Sequence, residues 1–169
     1  MKDGQGAARG PEFLLAPMDG MTRASFRSVC FDYGADGATT EMIQSLALGR
    51  AKKRMSETFA ETLVRFPNEK NLAAQLIGSL PSMMAESARR LTALNRFDAI
   101  DINMGCPARK VVGSGNGAAL LKTPERAMAV MAAVKGATDL PVRLSHPVPQ
   151  VLWHPATGSR SSIRLLSSR

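Results

Sequence analysis

The sequence predicts an α/β fold of parallel strands alternating with helices. Short apolar runs alternate with segments whose apolar residues recur at helical spacing. The joins between them are short, as βα units require. Polar residues collect at the strand exits and are rare within the strands. Either a doubly wound sheet or a (β/α)8 barrel satisfies that order. The 169 residues suffice for one domain with a core. With 44% hydrophobic and 21% charged residues, the composition excludes a disordered or fibrous chain.

"FLLAP" (13–17) reads as a buried first strand ended by its proline. Thr22 is the expected N-cap of a helix whose Phe26, Val29, Cys30 and Tyr33 share one apolar face. Gly34 supplies its stop. "GATTEM" (37–42) is the second strand. "IQSLALGRAKKRMSET" (43–58) follows as a helix, weakened by Gly49. "NLAAQLIGS" (71–79) is the third strand, and Pro81 then occupies a first helical turn. Met84, Ala88, Leu91 and Leu94 form the stripe of that helix. "FDAIDIN" (97–103) is the fourth strand, Thr123–Pro124 opens a helix that runs to Val134 and stops at Gly136, and "LPVRLS" (140–145) begins a fifth strand.

Other features bound the function. No apolar run approaches the roughly 18 residues of a membrane span. Residues 1–12 lack the apolar core of a secretory signal and read as a loose N-terminus, so a cytoplasmic protein is expected. Two cysteines 76 residues apart form neither a C-x-x-C pair nor a zinc spacing, so free thiols and no metal are expected. The net charge of +8 permits an anionic partner such as nucleic acid, although scattered surface cations give the same total. Through residue 143 there are 19 Lys/Arg against 14 Asp/Glu; residues 144–169 add three arginines and no acid. Residues 146–169 hold three prolines, with four serines among the last nine residues. They read as an irregular basic tail, either flexible or left by a lost reading frame.

The chemistry concentrates in "DINMGCPARKVVGSGNGAALL" (101–121). Gly113-x-Gly115-x-x-Ala118 spells the dinucleotide fingerprint, but that motif belongs in the tight turn directly after a strand, and here it begins ten positions beyond Asn103. The glycines instead suit a long βα loop whose backbone can approach a ligand. Cys30, on a helix's apolar face, reads as a small hydrophobe. Cys106 lies beyond a strand's C-terminal end, where α/β folds gather ligands and catalytic groups, and Arg109 and Lys110 nearby could hold an anion. Taken alone, Cys106 is more simply a structural thiol. The other exits change that weighting: "APMDGMT", Glu41, Gln75 to Ser79, and Asn103 form one polar rim suited to a flat, amide-rich ligand.

"LAPMDGMT", "TEM", "AAQLIGS" and above all the 101–121 motif closely resemble the flavin-dependent tRNA-dihydrouridine synthases, in order from Leu14 to Val142. The resemblance implies an FMN-containing TIM barrel, of which residues 13–145 supply the N-terminal portion, about four βα units plus a fifth strand. It implies tRNA as substrate and NADPH as reductant of the flavin. Carried over by motif, Pro17, Met18 and Asp19 would line the flavin and Gln75 would hydrogen-bond its ring. Asn103 would lie by the uracil, and Cys106 would be the general acid. Arg109 and Lys110 would lie near the nucleotide backbone. In that reaction, hydride adds at uracil C6, charge develops towards O4, and protonation at C5 completes the reduction. A thiol suits the donor role, and the base must leave its stack to be reached.

The family pattern is incomplete here. A (β/α)8 barrel takes about 250 residues. The Lys and Arg that follow "LPV" in the family find no counterpart except Arg143. The later histidine and glycine-rich phosphate site are not recognisable in His146, His154 or Gly158, and the helical tRNA-binding domain is absent. An open half-barrel is expected to expose a strand edge and apolar lining, and so to self-associate or fold poorly. The alternative function is an inactive truncated fragment with at most weak RNA affinity through Arg50, Lys52, Lys53, Arg54, Arg109 and Lys110. Such a charge run is ordinarily just a solvated helix face.

Overall fold

The computed structural model describes residues 13–50 and 59–146. The expected N-terminus (1–12), Lys52, Lys53 and Arg54 with the rest of 51–58, and the tail from Pro147, including His154 and Gly158, lie outside the described residues. The elements are β1 (Leu14–Leu15), α1 (Ala24–Asp32), β2 (Gly37–Thr39), β3 (Ile43–Gln44), α2 (Ser45–Arg50), α3 (Ala60–Leu63), β4 (Leu72–Ile77), α4 (Pro81–Ala93), β5 (Ala99–Asn103), α5 (Arg109–Val112), a 3-10 helix (Gly117–Lys122), α6 (Pro124–Lys135) and β6 (Val142–Ser145).

All pairings are parallel, and the sheet order β1-β2-β4-β5-β6 follows the chain, with β3 extending the second position against β4. A doubly wound sheet would reverse its order at a switch point. This one does not, so it is an arc of a (β/α)8 barrel. Gln75 lies opposite Asp101, and Asn103 opposite Ser145.

Strand alternation sends Leu72, Ala74, Leu76, Ile100 and Ile102 into the main apolar core, shared with Met84, Ala88 and Leu91 of α4 and Val130 and Val134 of α6. Each is fully buried. Burial of a side chain the size of Leu or Ile is worth about 1.5–3 kcal/mol, and this tertiary packing holds α4 and α6, whose Ala, Met and Arg content already favours helix, to the sheet. The opposite strand face carries Ala73, Gln75, Ile77, Ala99, Asp101 and Asn103. These are buried too, contrary to the expected exposed lining. That face combines small alanines with polar groups that are hydrogen-bonded to one another. Exposure is instead found at the two outer strands, with Leu14 at 56% and Leu144 at 43%.

Two expectations for α1 are corrected. Thr22 is not its N-cap: the helix begins one residue later, after Arg23, which makes no side-chain cap bond. The Thr22 hydroxyl accepts the Met18 N–H at 3.0 Å and donates to the Met18 carbonyl at 3.1 Å, closing the turn after β1. Nor does the apolar stripe face the core. Phe26, Val29 and Tyr33 are exposed and Cys30 is half-buried, while Ala24 and Arg27 are the buried residues of the helix. β1 is the outermost strand of the sheet, and among the described residues nothing covers that face of α1. Gly34 does end the helix, at φ +96°, with Ala35 N–H donating to the Cys30 carbonyl. The second strand is also split, into β2 and β3, by Thr40 to Met42.

Candidate active site

The C-terminal ends of β1, β4, β5 and β6 converge on one cleft of about 410 Å³. Five of the sequence-derived site residues line it: Pro17, Asp19, Gln75, Asn103 and Cys106. Met42, Ser145 and His146 complete the wall with Gly105. The volume falls within the roughly 300–1,000 Å³ of small-molecule sites. Met18 is absent from the lining. Its carbonyl accepts the N–H groups of Met21 and Thr22, so its backbone builds the turn that carries Pro17 and Asp19.

The strand residues meet through a directional set of hydrogen bonds. Gln75 is fully buried, and its backbone N–H donates to Thr40 Oγ1 at 3.0 Å. Its Nε2 donates to Asp101 Oδ2 at 2.7 Å and, more distantly, to Ser145 Oγ at 3.4 Å. Ser145 Oγ donates to the same carboxylate oxygen at 2.8 Å. Asn103 Nδ2 donates to Gln75 Oε1 at 2.9 Å. Asn103 Oδ1 then accepts the backbone N–H groups of Gly105 at 3.1 Å and Cys106 at 3.0 Å.

Cys106 is therefore held by its backbone. Asn103 fixes its N–H, and the Ala118 N–H donates to its carbonyl at 3.1 Å. That second bond requires the 3-10 helix to start against the Cys106 backbone. Gly117, at φ +58°, makes this possible, because a Cβ there would lie 2.7 Å from the Cys106 carbonyl oxygen and 2.8 Å from Val111 Cγ1. The expected long loop is thus two short helical turns folded back on the thiol, which is half-buried at the cleft.

Arg109 and Lys110 lie on α5, exposed, and do not line this cleft. Arg109 faces a neighbouring groove of about 590 Å³ whose other cation is Lys122. No carboxylate pairs with Arg109, Lys110 or Lys122 among the described residues. Glu41 also stays out of the cleft. Its Oε1 is buried without a hydrogen-bond donor, 4.0 Å from Arg23 Nε. Arg143, the residue considered for a missing cation, is exposed on β6 and leaves the lining to Ser145.

Sequence reading missed Asp101, Ser145, Met42 and Lys122. A signal for Asp101 was present: in "DIN" it lies two residues before Asn103 and so shares its strand face. Among the described residues there is no cluster of three His, Cys, Asp or Glu that could hold a metal, and no helix long and apolar enough to cross a membrane.

The dihydrouridine synthase family model matches residues 14–154, which runs past Ser145 into the segment set apart as a tail. A probable tRNA-dihydrouridine synthase of Rhodobacter capsulatus is 40% identical over 135 residues, covering 79% of this chain and 40% of that protein. One of Helicobacter pylori strain J99 is 35% identical over 148 residues, covering 83% and 44%. The tRNA-dihydrouridine synthase B of Vibrio vulnificus is 38% identical over 137 residues, covering 79% and 40%. The chain spans about two fifths of the length of these curated relatives. Cleft and loop both fall inside the matched residues, and the chain belongs to the dihydrouridine synthase family.

Proposed function

We propose that this chain carries the acid-bearing part of a tRNA-dihydrouridine synthase site, reducing uridine in tRNA to 5,6-dihydrouridine with Cys106 as proton donor. The observation that carries this is the convergence of Pro17, Asp19, Gln75, Asn103 and Cys106 on one cleft. It agrees with the names of the matched relatives. A cytoplasmic protein follows from that substrate.

The cleft fits the ring of a flavin better than its phosphate. Pro17 and Met42 offer apolar surface to a flat ring, and Gln75 lines the cleft beside them with its amide already bonded to Asp101 and Asn103. No lysine or arginine is among the lining residues to meet a phosphate. FMN, reduced by NADPH, would supply the hydride. Pro17, Asp19 and Gln75 would hold the ring, with Met18 shaping the turn beneath. Asn103 holds the Cys106 loop and keeps one Nδ2 hydrogen for a uracil carbonyl. The Cys106 thiol delivers its proton to uracil C5 from a backbone fixed on both sides, so little motion is needed at the moment of transfer. Arg109 and Lys110 stand outside the cleft, where the nucleotides flanking an extruded base would run.

The decisive experiment mixes the purified chain with excess FMN, removes free flavin by filtration and records the visible spectrum. Retained flavin, followed by tRNA reduction that Cys106→Ala abolishes, supports the reading. Folded protein that retains no flavin favours the alternative, a fragment limited to RNA affinity.

A further inference from the structure

Ser145, Asp101, Gln75 and Asn103 form a chain of hydrogen bonds that ends on the backbone of Gly105 and Cys106. Of these four side chains, only an aspartate carboxylate is restricted to accepting. A hydroxyl and two amides can each present either a donor or an acceptor. The polarity of the chain is set from its two ends: the carboxylate can only accept, and the Gly105 and Cys106 backbone N–H groups can only donate. Asp101 is 4% exposed, and its Oδ2 takes both the Gln75 amide and the Ser145 hydroxyl. With Gln75 Nε2 committed there, Gln75 Oε1 must face Asn103, so Asn103 turns its Nδ2 to Gln75 and its Oδ1 to the loop.

We propose that Asp101 is a positioning residue for Cys106, acting through the amide orientations of Gln75 and Asn103. Its carboxylate makes no hydrogen bond to the thiol or its loop among the described residues. Without an obligate acceptor at 101, Gln75 can flip and present Nε2 to Asn103. Donor then meets donor, either between Gln75 Nε2 and Asn103 Nδ2 or, if Asn103 flips as well, between its Nδ2 and the two backbone N–H groups. Either way the clamp on the Gly105–Cys106 segment weakens although no residue of the loop has changed. Such coupling through a buried polar network is felt as a unit. The significance of Asp101 for catalysis rests on the proposed role of Cys106; the clamp itself does not.

The test exchanges the polarity. Asp101→Asn keeps the shape but removes the obligate acceptor. Asp101→Asn combined with Gln75→Glu moves the carboxylate to the neighbouring strand. There it can accept both from the amide introduced at position 101 and from Asn103, and so restore the donor direction towards the loop. The readout is backbone amide hydrogen exchange at Gly105 and Cys106 in the whole chain, with Leu76 and Ile102 as core references. The single variant is expected to lose about tenfold in loop protection, the equivalent of roughly one net hydrogen bond, and the double variant to regain it. Unchanged protection in the single variant overturns the proposal. So does a double variant that exchanges no more slowly than the single, since simple loss of packing would not be repaired by moving the charge. If the single variant fails to fold, a folded and protected double variant supports the proposal and an unfolded one overturns it. Amide exchange reads no turnover, so failure here is separate from failure of Cys106→Ala to abolish activity.

Discussion

Arg27 Nε donates to Glu69 Oε1 at 2.6 Å, and neither side chain reaches solvent. The guanidinium also donates to the carbonyls of Thr22 and Val64, while Glu69 Oε2 accepts the Phe66 N–H. This clasp ties the turn after β1 to the segment that leads into β4, and so fixes the rim that carries Pro17 against the strand that carries Gln75. Removing one partner leaves the other charge buried, which costs about 3–5 kcal/mol. Glu69→Ala should therefore lose stability of that order in equilibrium urea denaturation. A loss below about 1 kcal/mol, the range of an exposed pair, would show that water reaches the guanidinium.

Gly117 should tolerate no side chain. Its φ of +58° and the 2.7 Å approach to the Cys106 carbonyl oxygen compound each other. Gly117→Ala is expected to destabilise by more than about 1 kcal/mol and to expose Cys106. The check is the thermal midpoint together with the alkylation rate of Cys106 against Cys30 in the same sample. Slower or unchanged alkylation of Cys106 in a destabilised variant would mean that the loop moves without releasing the thiol.

The sheet was readable because its strands are short, apolar and punctuated: "AAQLI" and "AIDIN" needed no tertiary information to be seen as strands. The cleft was readable to the extent that its residues sit at strand exits, which is why Pro17, Gln75, Asn103 and Cys106 were found. Reading α1 failed for a physical reason. Periodicity reports that Phe26, Val29 and Tyr33 share a face, but not whether a neighbour exists to cover it, and at the outer strand none does among the described residues. The burial of Arg27 is not legible in the sequence, because its partner, Glu69, is 42 positions away. Spacing puts Asp101 on the strand face of Asn103, but it does not encode the hydrogen bonds that join Asp101 to Gln75 and Ser145 across three strands.

Arg109 and Lys122 flank one groove beside the Cys106 loop without carboxylate partners among the described residues. If the flanking phosphates of an extruded uridine rest there, Arg109→Gln and Lys122→Gln should each weaken tRNA binding. Each should also reduce the slope of log affinity against log salt by about 0.7, the value for one single-strand phosphate contact. Titrating labelled tRNA at several salt concentrations measures this directly. Weaker binding with an unchanged slope would point to a loss of loop shape instead of a lost phosphate contact. Arg126→Gln, on the exposed surface of α6, serves as the control for general charge.

Self-association is the expectation that the described strands raise. Within the described residues, β1 and β6 each have a partner on one side only. The hydrogen-bonded path holds five strands, and a (β/α)8 barrel closes with eight. A second copy brings five more, so two chains joined edge to edge make ten and cannot close that barrel. Pairing β6 of one chain with β1 of the next is head to tail, and a head-to-tail contact that does not close propagates. The exposed Phe13, Leu14 and Tyr33 beside one edge, and Leu144 at the other, supply apolar surface for it. The chain is therefore expected to sediment as a concentration-dependent series of species with no dominant dimer. Lysine substitutions on β1, such as Leu14→Lys, should shift that series towards monomer by placing charge on the edge. A single compact monomer at all concentrations, unfolding cooperatively, would sink this expectation and mean that residues beyond the described ones already cover both edges.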